Sequence, residues 1–162
     1  PPKVIRFYHR HESYYAFSNL SPFPFEDNNG MRWDTVEHYF QAHKFVDKQA
    51  RLFIAKQPTA RLAFQEARHW DSLKRDDWYR IKETIMLDAL SFKWEQHENL
   101  RTKLLSTGTV RLEEHTSMDT YWGDGGETGN GKNRLGKMLI HLRYHLQKGT
   151  PLHSLRSDYS YQ

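Results

Sequence analysis

The chain has 162 residues, 37% hydrophobic and 14% aromatic, with no cysteine and a formal net charge of +4. That length makes one domain with room for a core, and the missing thiols exclude disulfide frameworks, iron–sulfur clusters and cysteine nucleophiles. The mild basicity, with a pI near 9.3, suits an anionic ligand such as a nucleotide or phosphate sugar, and equally describes an ordinary mixed surface.

In chain order, Val4 to Tyr8 reads as a short strand, and the aromatic run Tyr15 to Phe17 as another. Pro22, Pro24 and the turn Asp27-Asn28-Asn29-Gly30 predict a loop, hairpin and loop. A helix starts near Thr35, with Asp34 as its expected cap and Glu37 closing a capping box, and runs to about Val46. Thr59 caps a second helix that ends near His69. A third begins after Arg75, capped by Asp76 or Asp77, and carries the apolar stripe Trp78, Ile81, Ile85, Ala89 and Phe92. A fourth runs from Glu98 to Leu105 and stops at Gly108. Val110 to Glu113 is a short strand, and the five glycines of residues 123–131 exclude regular structure there. The last helix, from about Asn133 to Leu146, buries Leu135, Met138, Leu139, Leu142 and Leu146, and Gly149 ends it. The expected class is helix-rich α+β with a few short strands, one domain over residues 1–149 and a polar, poorly ordered tail over 150–162. No secretory signal or long apolar run is legible, so a soluble, cytoplasmic protein with no membrane partner is expected.

Two segments carry chemistry. On the first helix, a 100° step per residue puts Glu37, Gln41 and Lys44 on one ridge. A carboxylate there can shuttle protons, and a lysine can act as a clamp or, once burial lowers its pKa, as a nucleophile. The same spacing also describes a solvated capping glutamate and a surface lysine. His38 and His43 read as structural or pocket-wall residues.

The second segment is Asp119-Thr120-Tyr121-Trp122-Gly123-Asp124-Gly125-Gly126, which continues through Gly129 to Asn133. Tyr121 and Trp122 suit stacking on a base, and Asp119 or Asp124 suits sugar hydroxyls or a developing cation. Gly123 and Gly125 free backbone N–H groups near a helix start, which suits phosphate, and Asn133 is expected on substrate beside them; a flexible loop before a capped helix is the alternative. Residues 126–133 have the glycine and lysine spacing of a P-loop, but Asn133 stands where magnesium needs Ser or Thr. Ser18-Asn19 precedes a loop, where Asn19 holds ribose or phosphate oxygens or simply forms a turn. Trp70 stacks on a base or packs in the core. Arg134 meets phosphate or solvent. No metal-ligand spacing is present: His141 and His145 lack an intervening carboxylate of the zinc-binding order. No cofactor is implied.

Tyr15-Ala16-Phe17-Ser18-Asn19, the run Trp33 to Phe45, Asp119 to Gly125 and Gly131-Lys132-Asn133-Arg134-Leu135-Gly136 together resemble the NADAR family (NAD- and ADP-ribose-associated), the YbiA-like proteins. The resemblance spans roughly residues 5–147. It implies a YbiA-like fold and hydrolysis of an N-glycosidic bond. The expected substrate is ADP-ribose on guanine, in ADP-ribosylated DNA or a nucleoside. A second branch acts on phosphoribosylated pyrimidine intermediates of riboflavin synthesis, and a non-catalytic ADP-ribose binder is the remaining alternative. The resemblance places the essential glutamate at Glu37 and the lysine at Lys44, with Asp119, Trp122 and Asp124 in the acidic–aromatic segment. Trp70, Ser18 and Asn19 match as well.

Overall fold

The computed structural model describes residues 3–157. Its elements are β1 (Val4–Phe7), β2 (Phe25–Glu26), β3 (Arg32–Trp33), α1 (Val36–Ala42), α2 (Lys48–Ala55), α3 (Ala60–His69), α4 (Trp78–Gln96), α5 (Glu98–Ser106), β4 (Arg111–Glu114) and α6 (Arg134–Gln147). The helix-rich α+β class read from the sequence holds. These residues cluster into two compact units, one of residues 3–21 and 97–152, the other of 22–96 and 153–157. Among the described residues no helix is long and apolar enough to cross a membrane.

In the first unit, β1 and β4 form a parallel pair with Ile5 opposite Leu112 and Phe7 opposite Glu114. Alternation buries Ile5, Phe7 and Leu112, and α6 covers β4 with Leu135, Leu139 and Leu142. Buried Arg143 donates from Nη1 to Thr107 Oγ1 (2.9 Å) and the Val110 carbonyl (2.7 Å), which ties α6 to the turn that follows α5. Tyr15–Phe17 is not the expected strand but a 3-10 turn, closed by Phe17 N–H on Tyr14 O and Ser18 N–H on Tyr15 O. A strand needs a ladder partner, whereas Phe17 gains burial edge-to-face on Phe7 at 5.9 Å.

In the second unit, β2 and β3 form the expected hairpin. Asp27 Oδ1 accepts the N–H groups of Asn29 and Met31, and its Oδ2 accepts from the Trp33 indole at 3.0 Å. Phe25, Trp33, Tyr39 and Phe92 make an aromatic core against α1 and α4. The cap of α1 is Thr35, not Asp34: Thr35 Oγ1 accepts the His38 N–H at 3.1 Å, while Asp34 is exposed. The helix ends at Ala42, short of Val46: the N–H groups of Lys44 and Phe45 turn to Gln41 O and Ala42 O, three residues behind, where an α-helix would use Phe40 O and Gln41 O. Lys44 O takes Arg75 N–H at 2.8 Å, and Phe45 O takes Arg51 Nε at 2.7 Å. Helix α2, capped by Asp47, was not anticipated. Thr59 caps α3 as expected, and Ala60, Ala63 and Ala67 let α3 approach α1 closely.

The tail expected to be loose is docked over residues 152–157. Buried Asp88 on α4 accepts from Ser157 N–H (2.9 Å) and Oγ (2.7 Å), and the Arg156 guanidinium lies 4.4 Å from the centre of the Phe92 ring. Residues 158–162 lie outside the described residues.

Lys93 is 1% exposed, between the rings of Phe23 and Trp94 at 5.4 and 5.6 Å, and burial pushes its pKa down to about 7. Its folded value is depressed, so the unfolded chain binds the extra proton and stability falls as pH drops from about 10.4 towards the folded value. Each pH unit in that window costs about 1.4 kcal/mol. Lys93→Met is therefore expected to raise the melting temperature more at pH 7 than at pH 10. An equal gain at both values would refute this.

Candidate functional site

The first helix delivers Glu37 and Gln41 one turn apart, and Gln41 Nε2 donates to Glu37 Oε1 at 2.6 Å. Gln41 is 3% exposed, and its Oε1 accepts no hydrogen bond from the described residues. Lys44 is not on the helix as expected but in the turn just past it, with its N–H on Gln41 O at 3.2 Å. The turn still keeps its amine beside Glu37, and Nζ lies 5.7 Å from the centre of the Trp78 ring. Burial lowers the Lys44 pKa; the Glu37 carboxylate pulls it back up, Lys74 pushes it further down and Asp71 raises it. A lysine so placed offers a larger free-amine fraction near neutral pH than an exposed one.

The chain from Trp70 to Lys74 adds to this cluster. Trp70 caps α3 with 46% of its surface exposed, so it is available for stacking rather than packed in the core. Asp71 and Lys74 form an ion pair at 3.3 Å and act on Lys44. Sequence reasoning missed both; their only signal was an opposite-charge pair three positions apart, directly after Trp70. Trp78, read only as packing, is buried and also floors Lys44. His38 and His43 are structural, as expected. His38 bonds Thr35 Oγ1 and Gln57 O, both at 2.8 Å, and His43 Nδ1 donates to Tyr39 O at 2.7 Å. Burial holds His43 down at about 3, so it stays neutral beside the lysine.

The remaining candidates belong to the other unit. Ser18 is fully buried, its Oγ accepting Leu20 N–H at 3.1 Å, and Asn19 is 6% exposed beside it. Asp119 Oδ1 accepts the N–H groups of Tyr121 (2.9 Å) and Trp122 (2.8 Å), which turns those two rings edge-to-face at 4.9 Å. Both rings are half-buried, and Lys132 Nζ lies 5.3 Å from the Tyr121 ring centre.

The glycine-rich segment differs from its expected form. Its N–H groups were expected to stay open for phosphate. Instead Lys132, Asn133, Arg134 and Leu135 donate to the carbonyls of Thr120, Gly123, Tyr121 and Trp122, and Gly131 N–H donates to Asp124 O. The first N–H groups of α6 are thus spent on the chain itself. Gly123 is needed for closeness: a Cβ there would sit 2.7 Å from Asp119 O. A Cβ on Gly125 would meet Asn130 Oδ1 at 2.6 Å. Asn133, expected on substrate, is 2% exposed and left-handed at φ 51. Its Nδ2 donates to Leu112 O at 2.9 Å and its Oδ1 accepts Glu114 N–H at 3.0 Å, so the side chain pairs with β4 as a strand would. Arg134 is half-buried at the start of α6.

Asp124, expected to be catalytic, is 4% exposed, and its carboxylate is committed to the loop. It accepts from His115 Nδ1 (2.7 Å), Thr116 N–H (3.1 Å) and Gly126 N–H (2.8 Å). Burial alone would raise its pKa; the bonds from His115 and the backbone outweigh that and lower it, while the bond to Asp124 raises that of His115. His115 was missed, since a separation of nine positions from Asp124 leaves no pattern. Stability from the raised His115 is present below the ordinary imidazole value and lost as pH rises through the folded one. Stability from the lowered Asp124 is lost as pH falls below the carboxylate range. Asp124→Ala is expected to cost about 2–4 kcal/mol and to expose the Thr116 and Gly126 amides to hydrogen exchange. Unchanged protection of both would contradict this anchoring role.

Comparison with known proteins places these features. Residues 6–147 match the NADAR domain. N-glycosidase YbiA of Escherichia coli (strain K12) is 43% identical over 143 residues, 88% of this chain and 88% of that protein. Riboflavin biosynthesis protein VVA0006 of Vibrio vulnificus (strain YJ016) is 35% identical over 147 residues, 91% of this chain but 40% of that protein. The NMR structure of E. coli YbiA superposes with a TM-score of 0.82 at 39% identity, covering 99% of this chain and 92% of that one. With its sequence matched across both units and its fold shared with YbiA, the chain belongs to the NADAR domain family.

Proposed function

We propose that the chain is an N-glycosidase that removes ADP-ribose from ADP-ribosylated guanine in nucleic acid. The observation that carries this is the cluster on and just beyond α1: the Glu37 carboxylate, the buried acceptor of Gln41 and the Lys44 amine, whose burial favours the neutral form. A buried carbonyl oxygen with no donor suits a sugar hydroxyl. The net charge of +4 suits an anionic substrate.

In this mechanism the free amine of Lys44 adds to the anomeric carbon as the bond to the base nitrogen breaks. The Glu37 carboxylate takes the proton that the lysine nitrogen releases and passes it to the base nitrogen, and the base leaves as its amine. The ring carbon–oxygen bond then opens, the lysine nitrogen forms a Schiff base and the ring oxygen takes a proton. Water adds to the C=N bond, and collapse of the adduct returns the amine of Lys44 and the sugar aldehyde, which recloses. In the other unit Asp119, whose Oδ2 makes no hydrogen bond to the described residues, is the candidate for a sugar hydroxyl. Asp124 positions the loop. Trp70, Tyr121 and Trp122 are the candidates for base stacking, with Ser18, Asn19 and Arg134 for ribose and phosphate.

The name of the Vibrio relative favours a second reading, in which the base is a phosphoribosylated pyrimidine intermediate of riboflavin synthesis. Parallel turnover assays on both substrates, with Glu37→Ala as control, separate the two. Cleavage of the guanine adduct alone supports the first reading, and cleavage of the pyrimidine phosphate alone overturns it.

A further inference from the structure

A second lysine stands beside the Glu37 cluster, in different surroundings from the first. Helix α3 ends at Trp70, and the 3-10 turn Asp71–Leu73 carries the chain to Lys74. Arg75 N–H donates to Lys44 O at 2.8 Å, so the Cα of Lys74 lies two bonds from the atom that holds the Lys44 backbone. The two amines meet neighbouring rings at the start of α4. Lys44 Nζ is 5.7 Å from the centre of the Trp78 ring, and Lys74 Nζ is 4.9 Å from that of Tyr79. Trp78 is buried, whereas Tyr79 is 72% exposed. Lys74 also donates to Tyr79 Oη at 3.3 Å and pairs with Asp71 Oδ1 at 3.3 Å.

The Tyr79 hydroxyl and then Asp71 raise the pKa of Lys74. Burial lowers that of Lys44 against the pull of Glu37, and the Lys74 charge adds to the burial. Two like groups driven apart in this way take different roles: one keeps its proton and the other gives it up. The charges that act on Lys44 are Glu37 from α1 and Asp71 and Lys74 from this turn, while α4 meets it with the Trp78 ring. The Arg75 guanidinium nearby is turned to Asp77, at 2.6 Å. Glu37 has a proton to relay in the proposed reaction. Asp71 and Lys74 carry no step of it, which leaves them to set the balance around the amine.

We propose that Asp71 and Lys74 are positioning residues for the reaction, an antagonistic pair whose opposite charges act on the Lys44 nitrogen through space and touch no substrate atom. This rests on the reading that Lys44 is the nucleophile. A merely structural ion pair has one signature, since breaking it from either side does the same damage. Antagonistic control has another: without the Lys74 charge, Lys44 holds its proton to higher pH, and without the Asp71 charge it gives it up at lower pH.

The test is the pH profile of kcat/KM for wild type, Lys74→Met, Asp71→Asn and Lys74→Arg at one ionic strength, on the substrate that wild type cleaves. Circular dichroism checks that each variant is folded. On the rising limb, Lys74→Met is expected to lower kcat/KM at least about threefold, and Asp71→Asn to raise it at least about twofold. At the plateau both should lie within about twofold of wild type, and Lys74→Arg should keep the wild-type profile. A second readout needs no turnover. Trace labelling with acetic anhydride across pH, read by mass spectrometry at Lys44 against exposed Lys137, follows the free amine directly. Its midpoint should move up in Lys74→Met and down in Asp71→Asn. Shifts of the same sign in the two variants, or none in either, overturn the proposal. Opposite labelling shifts in a protein that cleaves neither the guanine adduct nor the pyrimidine phosphate support the action of the pair on Lys44 and overturn the proposed reaction instead.

Discussion

Lys44→Arg is expected to lower turnover by a factor on the order of 10³ or more, about 4 kcal/mol of transition-state stabilisation. Arginine keeps the positive charge and much of the length but has no free amine at any working pH, so it retains a clamp and loses a nucleophile. The surroundings of Lys44 make the substitution informative: burial favours the neutral amine, and Trp78 closes one side. Wild-type kcat/KM should rise with pH up to a value below the ordinary lysine range, then level off. Borohydride quenching during turnover should leave a covalent sugar adduct on Lys44 by intact mass. Glu37→Gln should cut turnover comparably, because the amide cannot relay a proton, while Gln41 can still bond its oxygen. An active Lys44→Arg protein without an adduct would sink the covalent route and leave Glu37 to activate water.

Gly136→Ala is expected to destabilise the fold by about 3–5 kcal/mol, a large share of the 5–15 kcal/mol typical of a domain. Helix propensity alone argues the opposite, since alanine gains about 1 kcal/mol over glycine inside a helix. Sterics decide the sign. A Cβ at Gly136 would lie 2.2 Å from the backbone oxygen of Leu112 and 2.5 Å from both amide atoms of Asn133. Those atoms are the ones that hold the first turn of α6 on β4. The helix must lift, and two buried backbone groups of β4 then lose their partners. For a chain of this length the melting temperature should drop by about 10 °C. Asn133→Asp tests the same contact from the other side, because it places an acceptor against the Leu112 carbonyl. Melting curves that match wild type for both variants would refute the account.

Elements with a local cause were legible. Thr59 caps α3, the stripe from Trp78 to Phe92 lies along α4, and the Asp27–Gly30 turn closes its hairpin. What failed depended on distant partners. Past the end of α1, the carbonyls of Lys44 and Phe45 are held by Arg75 N–H and the Arg51 side chain, partners that no local pattern announces. In α2, Leu52 and Phe53 are exposed while Ile54 is buried, so no clean apolar period marks the helix. The glycine-rich segment shows the same limit at the site. Its composition suggested open N–H donors, but pairing of residues 120–123 with 132–135 consumes them. The roles suggested for Asp124 and Asn133 gave way to structural ones for the same reason. Glu37 and Gln41, one helical turn apart, kept the relation their spacing implied.

The parallel register of Val4 with Arg111 has a consequence for how the chain is made. During synthesis β1 emerges well before its partner, which follows only after the whole of residues 22–96 has left the ribosome. That intervening stretch closes through the packing of α2, α3 and α4 on α1 and through one hairpin, all at shorter separation, so less loop entropy opposes them. The β1–β4 pair spans more than a hundred residues and belongs to the slow end of folding. Until β4 arrives, Ile5 and Phe7 remain an exposed apolar strand edge, the part of the nascent chain most open to mispairing or to a chaperone.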